Sequence, residues 1–265
     1  MGIGLAVRTQ LRPGSVPGAA GGRLWAMPHR VFSVDEVARY LHLSRQDVER
    51  LVQAGEIPFQ KRGRRIVFVR GEIDAWASKR ILGLAQAPLA EYHERTSAGT
   101  RELFPNRAVI PALLRPEYIQ ASLAAKTKAS VLREMVHLAE RTGLVCDPRE
   151  LLASLEAREA LCSTGLAGGL ALLHPRHHQP YMFEASFMVV GRSTQQIPFG
   201  AVDGQPSDLF FLICCQDDRI HLHTLARLCT VAQRTDVLNE LRAAPDAEAM
   251  FNALVAAEIK VLPKA

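Results

Sequence analysis

Residues 163–174 read STGLAGGLALLH, and residues 221–223, 47 positions after His174, read HLH. The first stretch ends a glycine-rich apolar run on a histidine, and the second places two histidines at the expected start of a helix. A histidine that accepts a phosphoryl group must be neutral, with one ring nitrogen held by a hydrogen bond and the other accessible. Gly165, Gly168 and Gly169 would let backbone N–H groups approach the anion closely. The pattern predicts phosphoryl chemistry at a histidine.

The composition is that of an ordinary globular protein with room for one large or two average domains. Of 265 residues, 48% are hydrophobic and 22% are charged. No apolar run approaches the ~20 residues that span a bilayer, and the N-terminus lacks the pattern of a signal peptide. The five cysteines, at positions 146, 162, 214, 215 and 229, form no C-x-x-C pair. We therefore expect a cytoplasmic protein with reduced thiols and no membrane insertion.

The net charge of +5 is unevenly distributed and divides the chain into four segments. Residues 1–27 (three Arg, no acid, net +3) are predicted to be disordered, and residues 28–83 (11 Lys/Arg, 7 Asp/Glu, net +4) form a small module. Residues 84–107 (three of each sign) are predicted to be a linker with one short helical piece, and residues 108–265 (15 against 17, net −2) a larger domain. The excess positive charge lies in the N-terminal third, which indicates a polyanionic partner for the small module alone.

The small module has the pattern of three short helices and a hairpin. Ser33 begins a first helix with a capping box, and Ser44 begins a second helix that Gly55 ends. Residues 57–68 predict a hairpin around a basic glycine turn, and a third helix follows from Arg70. The first two helices predict a helix-turn-helix, whose second helix enters the major groove of DNA.

Residues 33–58 (SVDEVARYLHLSRQDVERLVQAGEIP), with the GRR turn and the EIDAW segment after it, resemble the excisionase/MerR-type winged helix-turn-helix family. The resemblance implies that DNA is a partner. It implies base or phosphate contacts for Ser44, Arg45, Gln46 and Arg50, and backbone contacts at the wing for Lys61, Arg62, Arg64 and Arg65. The alternative is that residues 61–65 are only a solvated turn. A monomeric module of this size would bind weakly and with steep salt dependence, so specific binding would require a homodimer or a partner protein.

Helical and strand-like patterns alternate in the larger domain. Helices are predicted for residues 128–142 and for 147–159, with Asp147 as N-cap and Pro148 at the first helical position. Asp217 and Asp218 precede another predicted helix, which runs through about residue 232, and two more are predicted near 235–243 and 246–258. Apolar runs at 183–190 and 209–215 have the length of buried strands. The expected fold class is α/β (α+β): a small winged helix-turn-helix followed by an α/β sandwich with a mixed central sheet covered by helices.

The segments around the two histidines resemble the enzyme IIA domain of the fructose/mannitol/nitrogen class of the bacterial phosphotransferase system. The resemblance covers about residues 108–260 and rests on REALCSTG (158–165) leading to His174, on QQIPF (195–199) and VDGQPSDL (202–209), and on HLHTL (221–225). It implies that His174 is phosphorylated, that His221 supports it and that Arg158 holds anionic or backbone groups nearby. The family usually reads Pro-His-Gly at the acceptor, whereas this chain reads Leu173-His174-Pro175, and Pro175 removes a backbone N–H beside the acceptor.

Each site residue also has a simpler interpretation. His174 is alternatively a buried structural histidine, His223 a packed or capping one, and Arg158 a residue that only ends its helix. His177 and His178 are most simply loop residues. The rival hypothesis is a zinc site that gathers three imidazoles from His174, His177, His178, His221 and His223, but no acidic ligand lies at suitable spacing. We expect no metal and no cofactor.

Three functions remain open at this point. The leading one is a regulator that binds DNA and receives phosphate on His174 from a histidine-containing phosphocarrier protein, which couples metabolic state to DNA or partner binding. The second is a sugar-transport component, a phosphotransferase that relays phosphate to a IIB domain. The third is a degenerate interaction module that is not phosphorylated.

Overall fold

A computed structural model describes residues 31–99, 104, 108–176 and 181–262. The predicted disordered segment, residues 1–27, lies outside the described residues, as do His177 and His178. None of the helices in the described ranges is both long and apolar enough to cross a bilayer.

The N-terminal module is a three-helix unit with a small antiparallel sheet in the order β1-β3-β2. Its elements are β1 (Val31–Phe32), α1 (Val34–Tyr40), α2 (Arg45–Ala54), β2 (Gln60–Arg62), β3 (Arg65–Val69) and α3 (Arg70–Leu82). The predicted helices and hairpin are all present, and β1 is an addition.

Local capping explains why these helices begin and end where they do. The Ser33 side chain accepts from the backbone N–H of Glu36, whose carboxylate accepts from Ser33, and Ser44 forms the same capping box with Asp47. Gly55 ends α2 in the left-handed conformation with φ of 69°. The inward faces of the helices and of β3 then pack into one core, which includes Val37, Val48, Leu51, Phe68 and Ile73.

The C-terminal domain is a five-stranded mixed sheet in the order β4-β7-β8-β6-β5, with helices on both faces. Its strands are β4 (Ile119–Leu123), β5 (Gly165–Leu166), β6 (Leu170–Leu173), β7 (Phe187–Ile197) and β8 (Ser207–Cys214). Its helices are α5 (Ile110–Leu113), α6 (Lys128–Glu140), α7 (Pro148–Leu161), α8 (Asp218–Arg234), α9 (Val237–Ala243) and α10 (Ala247–Val261), with a 3₁₀ turn at Pro116–Tyr118. The mixed sheet covered by helices confirms the predicted fold class.

The central strand β7 begins later and runs further than the sequence predicts. Phe183 makes only an isolated bridge with Val145, and the continuous strand starts at Phe187. The strand then continues past Gly191 into a polar stretch, where Ser193 pairs with Leu123 of β4. The prediction of 183–190 was therefore wrong at both ends, because it followed the apolar run and not the backbone pairing.

The segment predicted as a linker contains α4 (Gln86–Gly99), a helix of 14 residues. This helix packs against α8 of the C-terminal domain, as does α3 of the N-terminal module. The two helices therefore join the small module to the larger domain through a buried interface.

Candidate functional site

Two neighbouring parallel strands bring His174 and His221 to the same edge of the sheet. β6 and β8 run parallel, with Leu173 opposite Leu212. The chain leaves β6 directly into His174, and it leaves β8 through Asp217, the N-cap of α8, which carries His221 near its start. The two imidazole rings lie 4.8 Å apart, centroid to centroid, and each histidine is 2% exposed. The predicted pairing of the two histidines is present.

The hydrogen bonds of His174 define its protonation state. Nδ1 lies 2.9 Å from the carbonyl oxygen of Leu172, and a carbonyl only accepts, so Nδ1 carries the proton. Nε2 lies 3.0 Å from Nε of Arg158, and a guanidinium only donates, so Nε2 has a lone pair. These contacts describe a neutral imidazole whose lone pair lies on Nε2.

Arg158 lies in the last turn of α7 and is 2% exposed. Its Nε donates to His174, and its Nη1 donates to the carbonyl oxygen of Cys162 at 3.0 Å. Its Nη2 is buried and makes no hydrogen bond within the described ranges. A buried guanidinium with a donor beside the imidazole suits an anion bound at this place.

The residue after Arg158 fixes the loop that leads back into the sheet. The Glu159 carboxylate accepts from the backbone N–H of Thr164 at 2.9 Å, from the Thr164 hydroxyl at 2.7 Å and from Nζ of Lys128 at 2.8 Å. The adjacent arginine and glutamate of the REALCSTG segment therefore act on different groups. Arg158 holds His174, whereas Glu159 anchors the start of β5.

Gly168 and Gly169, two of the glycines of the apolar run, serve the fold and lie far from His174. Gly168 and Gly169, with φ of 84° and 81°, form the turn between β5 and β6. His174 follows the opposite end of β6, roughly 15 Å away at about 3.3 Å per residue. The expectation that these glycines approach a phosphoryl group on His174 was wrong.

The second histidine of the HLH pair belongs to a different cluster. The His223 ring stacks on His93 of α4 at 5.8 Å with a 10° interplanar angle, and its Nδ1 lies 3.1 Å from Oγ1 of Thr96. Nε of Arg227 donates to Nε2 of His93 at 2.5 Å, and Nη1 pairs with Glu258 at 2.7 Å. Burial first, and then Arg227, lowers the pKa of both histidines to about 3. His223 is a packed residue.

This division of the histidines bears on the zinc hypothesis. His221 pairs with His174, whereas His223 faces α4, so the HLH histidines do not converge. Within the described part of the chain, no group of three His, Cys, Asp or Glu side chains is placed to hold a metal ion.

The N-terminal module covers the His174–His221 pair. Ser78 of α3 is 2% exposed, and its Oγ lies 3.4 Å from Nε2 of His221. Ser78, which is distant in sequence from both histidines, thus contributes to the environment of the site, whereas α4 contacts the separate cluster around His223. Sequence reasoning missed Ser78, His93 and Thr96, because polar residues on short helices give no apolar periodicity.

The residues predicted to contact DNA from α2 are exposed but engaged in local pairs. Ser44 uses its hydroxyl in the capping box with Asp47. Arg45 bridges Asp35 at 2.7 Å and Glu49 at 2.8 Å, and Arg50 pairs with Asp47. Gln46 is exposed on the same helix.

The wing differs from α2 in that its cations are exposed and unpaired. β2 and β3 pair up to Arg62 opposite Arg65, and Gly63, with φ of 62°, allows the tight turn between them. In the described residues, no ion pair involves any of the four wing cations, which are Lys61, Arg62, Arg64 and Arg65. The structure therefore presents an exposed basic tip at the turn between β2 and β3.

Comparison with known proteins agrees with both halves of this description. Residues 31–81 match a helix-turn-helix domain family. The chain is 32% identical over 148 residues to a nitrogen regulatory protein of Bradyrhizobium diazoefficiens, covering 55% of this chain and 94% of that protein. It is 28% identical over 145 residues to the fructose-specific EIIABC component of Bacillus subtilis, covering 54% of this chain but only 22% of that protein.

A solved structure gives the same result. The nitrogen regulatory protein IIA-Ntr of Neisseria meningitidis superimposes with a TM-score of 0.51 at 26% identity, covering 56% of this chain and 99% of that one. Residues 112–256, more than half of the chain, match the family described as phosphoenolpyruvate-dependent sugar phosphotransferase system, EIIA 2. The chain therefore belongs to the EIIA 2 family and joins a domain of that family to an N-terminal helix-turn-helix domain.

Proposed function

We propose that this protein is a DNA-binding regulator whose IIA domain accepts a phosphoryl group on Nε2 of His174 from a histidine-containing phosphocarrier. The observation that carries the proposal is the hydrogen bonding of His174. Leu172 holds the proton on Nδ1, so the lone pair of Nε2 faces Arg158 beside the ring of His221.

The transfer follows from this geometry. The phosphorus–nitrogen bond of the donor breaks as a phosphorus–nitrogen bond to Nε2 of His174 forms, and the electron pair returns to the donor nitrogen. The phosphorylated ring keeps its proton on Nδ1 and becomes positively charged, which the Leu172 carbonyl oxygen stabilises. The Arg158 guanidinium turns its Nε and the unused Nη2 to the phosphoryl oxygens, which carry roughly two negative charges.

A phosphotransfer assay tests the acceptor. The full chain is incubated with phosphoenolpyruvate and the general phosphotransfer proteins, and the labelled residue is located by mass spectrometry. His137 of α6 is exposed and distant in the fold, so His137→Ala is the matched control for His174→Gln. We expect label on the wild type and on the control but none on His174→Gln. Equal label on His174→Gln, or no label on any protein, would contradict the proposal.

DNA binding is supported by the exposed wing and by the helix-turn-helix match. Coupling is tested by measuring the affinity for DNA of the phosphorylated and unphosphorylated full chain at one salt concentration. The proposed coupling requires the two affinities to differ, and identical affinities would contradict it.

One observation favours a second candidate function. His174 and His221 are each 2% exposed, which is the arrangement expected of a module that works without phosphorylation. This candidate predicts intact DNA binding together with no label on His174 under any condition, including conditions that separate α3 and α4 from the C-terminal domain.

A further inference from the structure

The surface of the IIA domain that leads to His174 is occupied by the protein's own N-terminal part. Oγ of Ser78 in α3 lies 3.4 Å from Nε2 of His221, and both residues are 2% exposed. Burial first, and then the charge of Arg219 in the first turn of α8, lowers the pKa of His42, which lies in the turn between α1 and α2.

The contact continues along α8 through α4. Gln86 at the start of α4 donates to the carbonyl oxygen of Gln233 at 3.5 Å, and Gln233 donates to that of Leu84 at 3.3 Å. Near the other end of α4, His93 and Thr96 contact Arg227 and His223 in the buried cluster described above. Both ends of α4 are thus held on α8, and α3 lies beside it.

This arrangement is incompatible with a protein donor. In-line transfer requires the reacting atoms to approach to about 3–3.5 Å, so the donor imidazole must reach Nε2 of His174. A phosphocarrier delivers that imidazole from its own folded surface, whereas His174 is only 2% exposed.

We propose that α3 and α4 occupy the docking surface of the phosphocarrier, so that the N-terminal module and the phosphocarrier compete for the same face of the IIA domain. This inference rests on the proposed function. Acceptance of phosphate requires α3 and α4 to leave α8. A phosphoryl group on Nε2 then opposes their return, because its charge would be buried under Ser78.

The helix α4 also contacts α2, the predicted DNA-binding helix. Arg95 of α4 lies 3.9 Å from Asp47 of α2, and Asp47 also pairs with Arg50. Arg95 of α4 and Arg50 of α2 thus share one carboxylate. A single helix contacts both the cluster around His223 and the helix predicted to enter the major groove.

A reversible cross-link tests the competition. Gln86→Cys/Gln233→Cys places a disulfide, or a short bismaleimide bridge, between α4 and α8 in the full chain with the exposed Cys146 replaced by Ser. The matched control, Glu240→Cys/Lys260→Cys, makes the same cross-link between α9 and α10, whose side chains lie 3.7 Å apart within the IIA domain.

We expect the Gln86/Gln233 cross-link to lower the phosphorylation rate by about tenfold or more relative to the same protein after reduction. The reason is that few cross-linked molecules have α4 separated from α8. The control pair should show no difference. Equal rates in the cross-linked and reduced protein would overturn the competition. Thr96→Arg, which places a charge in the buried contact with His223, should instead accelerate phosphorylation, and an unchanged rate would count against the proposal.

A chemical probe separates this inference from the proposed function. Diethylpyrocarbonate modifies accessible neutral imidazoles and requires no phosphate donor. If no variant is phosphorylated, the proposed function fails. The modification rate of His174 still measures whether α3 and α4 block access to it. Slower modification of His174 in the cross-linked protein than in the reduced one supports the proposal that α3 and α4 block access to it, and equal rates overturn that proposal.

Discussion

Arg158 and His174 form a buried pair in which Nε of the arginine donates to Nε2 of the histidine across 3.0 Å. The pair links the last turn of α7 to the end of β6 and places a guanidinium beside the nitrogen that we expect to be phosphorylated. From this contact we expect that Arg158, the first residue of the REALCSTG segment, assists phosphoryl acceptance by His174.

We predict that Arg158→Lys lowers the rate of phosphoryl acceptance by about 100-fold, the effect of removing one well-placed donor at a developing charge. Lysine keeps the charge but loses the planar fork that reaches Cys162 and the histidine together. The measurement is the initial labelling rate. Arg149→Lys, an exposed position on the same helix, is the matched control and should behave as the wild type. A rate for Arg158→Lys within twofold of the control would show that Arg158 has only a structural role.

The features that the sequence predicted are those decided by neighbours in the chain. Ser33, Ser44 and Asp147 begin helices because each side chain accepts from N–H groups two or three residues ahead. Gly55 ends a helix for an equally local reason. The pairing of His174 with His221 also could be predicted, but through family resemblance, because the parallel register of β6 and β8 is not visible in the residues themselves.

The docking of α4 shows why the rest could not be predicted. The side chains that α4 buries against α8 include His93 and Thr96, and their partners Arg227 and His223 lie more than 120 positions away. A polar buried face gives no apolar stripe, so the segment had the pattern of a linker. The stability of the contact between α4 and α8 depends on hydrogen bonds to residues that only the folded structure brings near α4.

The buried histidines at this interface predict a loss of stability in acid. Burial first, and then the charge of Arg227, lowers the pKa of His93 and of His223 from the ordinary value of 6.5 to about 3 in the folded protein. Arg234 adds a smaller effect at His93, and His93 and His42 add smaller effects at His223. The unfolded chain therefore takes up protons first as the pH falls below 6.5. The free energy of unfolding should decrease by up to about 1.4 kcal/mol per pH unit for each histidine between pH 6.5 and pH 3.

His93→Asn tests this assignment, because asparagine keeps an acceptor for Arg227 but does not titrate. Urea unfolding at pH 7, 6 and 5 should show a shallower decrease for this variant than for the wild type. His137→Asn, at an exposed position, should leave the decrease unchanged. Parallel curves for His93→Asn and the wild type would show that His93 is not responsible.

A buried carboxyl group in the N-terminal module predicts the opposite dependence on pH. Burial raises the pKa of Asp74 in α3 to about 6, although a hydrogen bond from Tyr40 and the charge of Arg70 oppose the shift. The folded state therefore holds its proton more tightly than the unfolded state, so the free energy of unfolding falls as the pH rises from about 4 through 6. Asp74→Asn should stabilise the module by about 1–2 kcal/mol at pH 8 and by little at pH 4.

The fluorescence of Trp76, on the same helix, reports this unfolding. Tyr40→Phe is the companion variant, because it removes the donor and leaves the carboxyl in place, and it should destabilise the module at pH 8. A decrease in stability for Asp74→Asn at pH 8 would show that the ionised carboxylate is a net stabilising group.

The unpaired wing makes the last prediction, which concerns affinity for DNA. Arg64 and Arg65 are exposed and need break no ion pair to reach phosphates, whereas Arg45 is held by Asp35 and Glu49. Arg64→Ala/Arg65→Ala should weaken binding to all duplex sequences alike, because interactions with phosphates carry no sequence information. It should also reduce the slope of log affinity against log salt by about 2, because each arginine that no longer neutralises a phosphate lowers the slope by about one unit.

Fluorescence anisotropy with two unrelated duplexes over a salt series measures both effects. Arg133→Ala/Arg141→Ala removes the same charge from exposed positions at α6 of the IIA domain and should leave the slope unchanged. If the control lowers the slope as much as the wing variant does, binding follows the net charge of the chain and not the wing. If the wing variant weakens one duplex selectively, these arginines read base edges, and the assignment of Arg64 and Arg65 to the phosphate backbone is wrong.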